Sequence, residues 1–566
     1  MNSEISRTVG AFWSRHVVRH GWSLASLAIA ALISTPIVVV MASVFFDSHG
    51  VWDHLVETVL GRYIRNTVLL AVGVVGGTLL LGTGTAWAVT LCRFPGRKFF
   101  TWALLLPLAI PTYLAAYSYT DLLQFSGPVQ TWLRASFELQ RDDYWFPEVR
   151  SLPGAIVLFS LVLYPYVYLA ARAAFLEQSV CVLEVSRTLG LSPWRSFFRV
   201  ALPLARPSLV AGASLVLMET EAEFGAVDYC AVDTFATGIY RTWMSRGSIT
   251  AAAQLSACLL LFVAMAIVLE QFSRRRAKHY HPTYRYRELP SWPLRGWRAA
   301  LVIVVCATPV LFGFVVPTAV FSWTAWRFGD PRARELFWEL GKNTFVLAAV
   351  ASLLSVLLAM VVAYGRRLWP APLMRATAGV AGLGYTIPGG VIAIGILIPA
   401  VWLDHQLADL RDRLFETTSG LLLTGTVVAV ILGYQVRFMA VSLNILGAGL
   451  TRIRTTLDDA ARTLGATHGR MLVRIHAPLL RASLLAAALL VFVDVIKELP
   501  ATLILRPFDF DTLAVRVYQL ASDERLSEAS TGALAIILVG LIPVYLLSRA
   551  MSGARPGAEL TEEIRI

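Results

Sequence analysis

Asp459-Ala-Ala-Arg-Thr-Leu-Gly465-Ala-Thr-His-Gly-Arg-Met-Leu-Val-Arg-Ile475-His-Ala-Pro478 is a polar, basic island in a hydrophobic chain, and it occurs twice. The earlier copy reads Glu184-Val-Ser-Arg-Thr-Leu-Gly190-Leu-Ser-Pro-Trp-Arg-Ser-Phe-Phe-Arg-Val200-Ala-Leu-Pro203. In both, an acid is followed six positions on by Gly, ten further by Val or Ile, and three further by Pro. Every position keeps the offset of 275 that separates Glu184 from Asp459. Each copy reads as a helical hairpin. Glu184 to Leu189 can form a short helix that Gly190 closes with a left-handed turn. Ser192 then caps a second helix with Pro193 in its first position. Trp194, Phe197, Phe198 and Val200 are expected to share one face of that helix. In the later copy Gly465 closes the first helix, Thr467 caps the second, and Met471, Leu472 and Ile475 supply the apolar face. Arg187, Arg195 and Arg199 are matched by Arg462, Arg470 and Arg474.

The chain around these islands is built for a membrane. Of its 566 residues 57% are hydrophobic and 15% charged, and the mean hydropathy is +0.64, which excludes an ordinary soluble protein. Apolar runs of about 20 residues, enough to cross a bilayer as helix, lie near 22–46, 63–91, 99–123, 153–176, 207–228 and 251–270. A second set lies near 299–320, 343–364, 376–402, 420–444, 481–500 and 530–548. The expected fold is therefore an all-α membrane protein of about twelve spans. The first apolar segment, behind Arg7, Arg15 and Arg19, is too long for a signal peptide and reads as an uncleaved span.

Charge sets the orientation. The net charge of +12 is not a nucleic-acid footprint, because its distribution follows the loops. Most Lys and Arg fall on the side that holds the N-terminus, both hairpins and the basic stretch Arg274-Arg-Arg-Ala-Lys-His-Tyr-His-Pro-Thr-Tyr-Arg-Tyr-Arg. That side is expected to be cytoplasmic, and an even span count puts both termini there.

The duplication continues inside the apolar runs. Arg65-Asn66-Thr67 and Lys342-Asn343-Thr344 each open a long helix, and Ile110-Pro111 and Ile387-Pro388 follow at the same spacing. The chain divides into a first half over 1–270 (core 50–270), a basic linker over 271–298, and a second half over 299–566 (core 330–550). Each half begins with a span that matches its counterpart poorly. Six spans per half make the repeat parallel, whereas the inverted repeats of many ion-driven secondary transporters need an odd number.

Acids within the spans are the other unusual feature, since charge is costly there and marks function by default. Met218-Glu219-Thr-Glu221-Ala-Glu223 follows the first hairpin, and Val493-Asp494-Val-Ile-Lys497-Glu498-Leu-Pro500 follows the second. Glu219 matches Asp494 and Glu223 matches Glu498, and within each half the two acids, Glu219/Glu223 and Asp494/Glu498, are four residues apart and are expected to share a helix face. These four carboxylates are candidate pathway or gate residues and a candidate transient ligand set for a hard cation. The competing reading is a structural network with Lys497, Arg241 or Arg506. The five cysteines, including Cys181, make no C-x-x-C pair, and the nine histidines are dispersed, so no resident metal or disulfide framework is expected. The outer loop 124–152 carries Trp132, Leu133, Phe137, Tyr144, Trp145 and Phe146, the pattern of a short surface helix.

The duplicated hairpin resembles the E-A-A-x3-G-x9-I-x-L-P signature of inner-membrane permeases of ABC importers. The second copy keeps Ala460-Ala461 but has Asp459 for Glu and Ala477 for Leu, and the first keeps Glu184 but has Val185-Ser186. The wider sequence resembles the ferric-iron branch, through Ala116-Tyr-Ser-Tyr-Thr-Asp121-Leu-Leu-Gln-Phe-Ser-Gly-Pro128, Thr237-Gly-Ile-Tyr-Arg-Thr-Trp243, Asp494 to Pro507 and Asp511 to Gln519. The resemblance implies a fused, two-half permease of the type I importer fold in a bacterial inner membrane. It implies coupling through Glu184, Arg187, Gly190 and Pro203 and through Asp459, Ala460, Arg462, Gly465 and Pro478. The partners implied are two copies of a cytoplasmic ATPase that carries ATP and Mg, and an extracytoplasmic ferric-iron-binding protein. On this reading the four acids bind Fe3+ only in transit, and the chain itself holds no cofactor. It lacks a G-x4-G-K-[ST] phosphate loop, consistent with a motor on another chain and with a translocation subunit rather than an enzyme. Thiamine or another small organic solute is the alternative cargo, and an ion-gradient-driven secondary transporter the alternative class.

Overall fold

The computed structural model describes residues 2–177, 188, 192–275, 292–328, 333–415 and 421–552. Among these residues only Cys92–Arg93 and Trp292–Pro293 pair as strand, in parallel; the rest of the regular structure is helical. Ten helices are long and apolar enough to cross a membrane, and the number reaches twelve when each of two bent helix pairs is taken as one span. The bent pairs are Arg97–Ala109 with Thr112–Phe137, turning by 89°, and His468–Leu479 with Arg481–Ile496, turning by 78°.

The duplicated Ile-Pro explains the first bend. Proline has no amide hydrogen to continue a helix, and it pushes the residue before it out of the helical region. Ile110 is extended (φ −99°, ψ 117°), and its mate Ile387 is the same (φ −96°, ψ 129°). A short 3-10 turn precedes each of them, Leu106–Ala109 and Gly384–Thr386, and a helix follows. The halves differ beyond this point. Gly389–Phe415 runs on unbroken, whereas the first half stops at Leu123 and restarts at Pro128.

The repeated Asn-Thr has a matching physical role in each half. The Thr67 hydroxyl accepts the Phe235 amide at 3.3 Å, and the Thr344 hydroxyl accepts the Leu513 amide at 2.9 Å. Each hydroxyl thus takes up the first amide of a later helix, Phe235–Arg246 or Leu513–Ser522. A helix start leaves four such amides without intrahelical partners.

Packing groups the chain differently from the repeat. One compact unit combines Met1–Val51, Ile239–Ala257 and Trp338–Val515; the other combines Trp52–Gly238, Cys258–Phe337 and Arg516–Ile566. The poorly matching first span of each half therefore packs with elements of the other half. In the first unit the helix Asn2–Ala42 lies on Gly389–Phe415. Their backbones meet so closely that a methyl on Gly395 would stand 2.5 Å from the Pro36 carbonyl oxygen, the kind of approach that small residues permit between spans. Trp22 adds an edge-on contact to Tyr364, with ring centroids 5.2 Å apart. In the second unit Val316–Phe328 packs on Leu526–Ser552, and Tyr119 donates its hydroxyl hydrogen to the Phe312 carbonyl.

Candidate functional site

The second hairpin folds as its sequence predicts. Its first helix, Thr455–Thr463, ends in a left-handed glycine, Gly465 at φ +77°. The Ala466 amide reaches back to the Ala461 carbonyl and the Gly465 amide to Arg462, both at 3.0 Å. This is the paired-bond turn for which glycine is selected. Thr467 caps the next helix, accepting from the Arg470 amide at 3.4 Å. A π-helical turn, Leu472–His476, then leads into the span. Asp459, Ala460, Arg462, Gly465 and Pro478 are all exposed. With Leu464, 88% exposed, and Val473, 68% exposed, they make a mixed basic and apolar outer surface.

The acid that holds this hairpin is the neighbour of the one the signature selects. Asp459 stands in solvent, 3.7 Å from Arg462. Asp458 is buried and receives Arg367 through two nitrogens, Nε at 2.8 Å and Nη2 at 3.1 Å. The same guanidinium binds the Leu450 and Ile453 carbonyls. His476, wholly buried, donates from Nε2 to Asp458 Oδ1 at 2.9 Å, the oxygen that also accepts from Arg367 Nη2, while its Nδ1 has no hydrogen-bond partner among the described residues. The Tyr364 hydroxyl closes the cluster on the His468 carbonyl at 3.0 Å. Arg367 ends the span Phe337–Leu368, so the cluster ties a span end to both helices of the hairpin.

Burial by itself would raise the Asp458 carboxyl. Hydrogen bonds from Arg367 and His476, with their charges, outweigh it and hold the group below its ordinary value. The sign follows. A depressed carboxyl contributes stability that is complete above its unfolded pKa of about 4 and is lost as pH falls through the lower folded value. Melting temperature of the solubilised protein, followed from about pH 7 to about pH 3, is expected to fall in acid. Asp458→Asn should start lower and show a shallower acid limb. An unchanged limb would remove Asp458 from the account.

In the first hairpin, Glu184, Arg187 and Gly190 lie outside the described residues. From Ser192 onward the expected cap and second helix are present, though the Trp194 side chain lies outside the described residues. Ser192 accepts the Arg195 amide at 3.4 Å, Pro193–Ser196 is helical, and a π-helical turn, Phe197–Ala201, stands 275 residues before that of the second hairpin. Pro203 is exposed. Phe197 and Phe198 do not share a face, since adjacent helical residues point about 100° apart. Phe197 is buried against Trp87 and Phe175 (centroids 5.3 and 6.3 Å away), whereas Phe198 is 58% exposed. The second helix of the first hairpin is thus held by aromatic packing, and the second hairpin by a buried ionic cluster.

The acids correct the expectation that each pair shares a helix. The first helix ends at Ala222 and the second at Ile496. Glu223 and Glu498 lie beyond these ends, where the chain turns into the short helices Gly225–Tyr229 and Pro500–Leu505. Each caps its short helix: Glu223 accepts the Ala226 amide at 3.2 Å and Glu498 the Ala501 amide at 3.1 Å. Glu498 is more tightly held. It also accepts from the Thr502 amide (3.1 Å), the Thr502 hydroxyl (2.7 Å) and Arg437 (3.3 Å). Asp494 pairs with Lys497 at 3.0 Å, one of the contacts of the competing structural network, whereas Arg506 pairs at 2.7 Å with Asp511, which is not one of the four acids. Glu219 is half-buried in the last turn of Leu202–Ala222. Among the described residues, no group of three or more His, Cys, Asp or Glu is gathered for a metal. The loop 124–152 contains the helix Pro128–Phe137, with Trp132 64% and Trp145 86% exposed.

Residues 78–279 match the family described as binding-protein-dependent transport system inner membrane component. Over 502 residues the chain is 26% identical to the Fe(3+)-transport system permease protein FbpB 2 of Haemophilus influenzae, covering 87% of this chain and 90% of that protein. It is 22% identical to the ferric transport system permease protein FbpB of Actinobacillus pleuropneumoniae, over 92% and 76% of the two chains. The sulfate transport system permease protein CysT of Escherichia coli is 29% identical, but over only 35% of this chain and 73% of its own.

Proposed function

We propose that this chain, which belongs to the binding-protein-dependent inner-membrane transport components and is an ABC importer permease, carries ferric iron. Membership in such a system brings a substrate-binding protein and an ATPase as partners. The observation that carries the cargo is the extent of likeness. The ferric permeases align across both halves, whereas the sulfate permease aligns with about one half.

On this reading two ATPase copies, each holding ATP and Mg, dock at 184–203 and 459–478, and both termini are cytoplasmic. The exposed Arg462, Leu464, Arg470 and Val473 suit a cleft that takes an apolar tip flanked by positive charge. The exposed Trp132 and Trp145 suit the opposite side, as contacts for the ferric-iron-binding protein. Glu219, Glu223, Asp494 and Glu498 act as a gate at the ends of the helices behind the hairpins, where a rigid-body movement of either hairpin reaches the membrane.

The test is ATP-dependent uptake in proteoliposomes holding the permease, its ATPase and its binding protein. Radiolabelled ferric iron is expected to accumulate and to saturate, with labelled thiamine and sulfate left outside. Uptake of either competitor in place of iron refutes the cargo, and uptake without ATP refutes the class.

A further inference from the structure

A cavity of about 780 Å³ lies beside the second hairpin, entirely within the first compact unit. Three arginines line it, Arg366, Arg367 and Arg375, together with Asn444, Thr451 and Thr455, and among the described residues no acidic one does. Arg367 is already engaged with Asp458 and backbone carbonyls. Arg366 and Arg375 are exposed and meet no acid among the described residues. Two membrane spans, Phe337–Leu368 and Val427–Thr451, end at this cavity, which places it where a bilayer's headgroups would lie. Thr455 begins the helix Thr455–Thr463, whose preceding Arg454 supplies no side-chain acceptor for the first amides. Positive side chains, neutral hydrogen-bonding groups and a helix start free of a side-chain cap together suit a phosphate anion.

We propose that this cavity binds an anionic phosphate group at the membrane surface, with Arg366 and Arg375 as its two charged ligands. Basic pockets between spans take lipid headgroups on the same principle, and free inorganic phosphate offers the same chemistry. Because Arg367 borders the cavity and also grips Asp458, an occupant would sit against the anchor of the second hairpin.

The full chain in nanodiscs separates the two sources. In phosphatidylglycerol discs, native mass spectrometry after lipid stripping is expected to find one or more retained phosphatidylglycerols. Arg366→Gln/Arg375→Gln is expected to retain about thirtyfold less, from about 1 kcal/mol per arginine at an anionic headgroup. Arg366→Lys/Arg375→Lys should keep most of the binding, because charge is preserved. In phosphatidylcholine discs, radiolabelled inorganic phosphate is titrated instead; binding that the Gln variant loses identifies free phosphate as the source. The Gln variant should melt with the parent protein, since both arginines are exposed and outside the Asp458 cluster. Equal retention by parent and Gln variant in both discs, or no binding in either, overturns the proposal.

Discussion

Replacing Arg367 with alanine is expected to release the second hairpin and stop transport. Arg367 supplies both direct charged bonds from a span end to Asp458, with side chains only 10% and 7% exposed. Removing one partner of a buried pair strands the other charge, at a cost of about 3–5 kcal/mol. For Asp458 the remaining bond is to His476, itself fully buried. The hairpin then loses its attachment to the Leu450 and Ile453 carbonyls as well. The measurable outcome is a lower melting temperature, poor co-purification of the ATPase and loss of ATP-driven uptake. Arg367→Ala/Asp458→Ala should recover part of the stability, because no buried charge is left uncompensated. If the double variant is as damaged as the sum of the two single ones, the pair does not act as a unit and the anchoring assignment fails.

This cluster also marks where the sequence was readable and where it was not. Gly465 and Thr467 were legible because their roles are local: a left-handed turn and a cap each depend on residues within a few positions. Asp458 was hidden for two reasons. The duplication directs attention to positions that match, and its counterpart is Leu183. Its partner Arg367 lies 91 residues away, and no periodicity connects them. The same contrast holds in the membrane. Apolar runs revealed nearly every span, and Ile-Pro marked the first bend and the matching break at Ile387, because a proline's missing amide acts on its own neighbours. The exchange of first spans between halves was not legible. An apolar stripe records that a helix is covered without recording by what, and the approach of Gly395 to Pro36 becomes visible only with both helices in place.

Glu498→Ala is expected to be as damaging as Arg367→Ala, by a different route. Alanine removes the acceptor of two amides and a hydroxyl at the start of Pro500–Leu505. It also leaves Arg437, whose side chain is 12% exposed, without this counter-charge. Loss of a helix cap costs about 1 kcal/mol, and losing the charged hydrogen bond to Arg437 adds about 1.5–3 kcal/mol. The turn at the end of the 16-residue helix Arg481–Ile496 should loosen, with a clear fall in melting temperature and in iron uptake. Glu223→Ala should cost less, because Glu223 is only half-buried. The decisive comparison is Glu498→Gln. Glutamine keeps one acceptor oxygen for the helix start but removes the negative charge. A gate that works through the shape of the turn predicts that Gln restores much of both stability and uptake relative to Ala. A stable Glu498→Gln protein that takes up no iron would mean that the carboxylate charge itself meets the cation. Glu498 would then have to leave its cap during the cycle, since in this conformation both of its oxygens are already taken by Ala501 and Thr502.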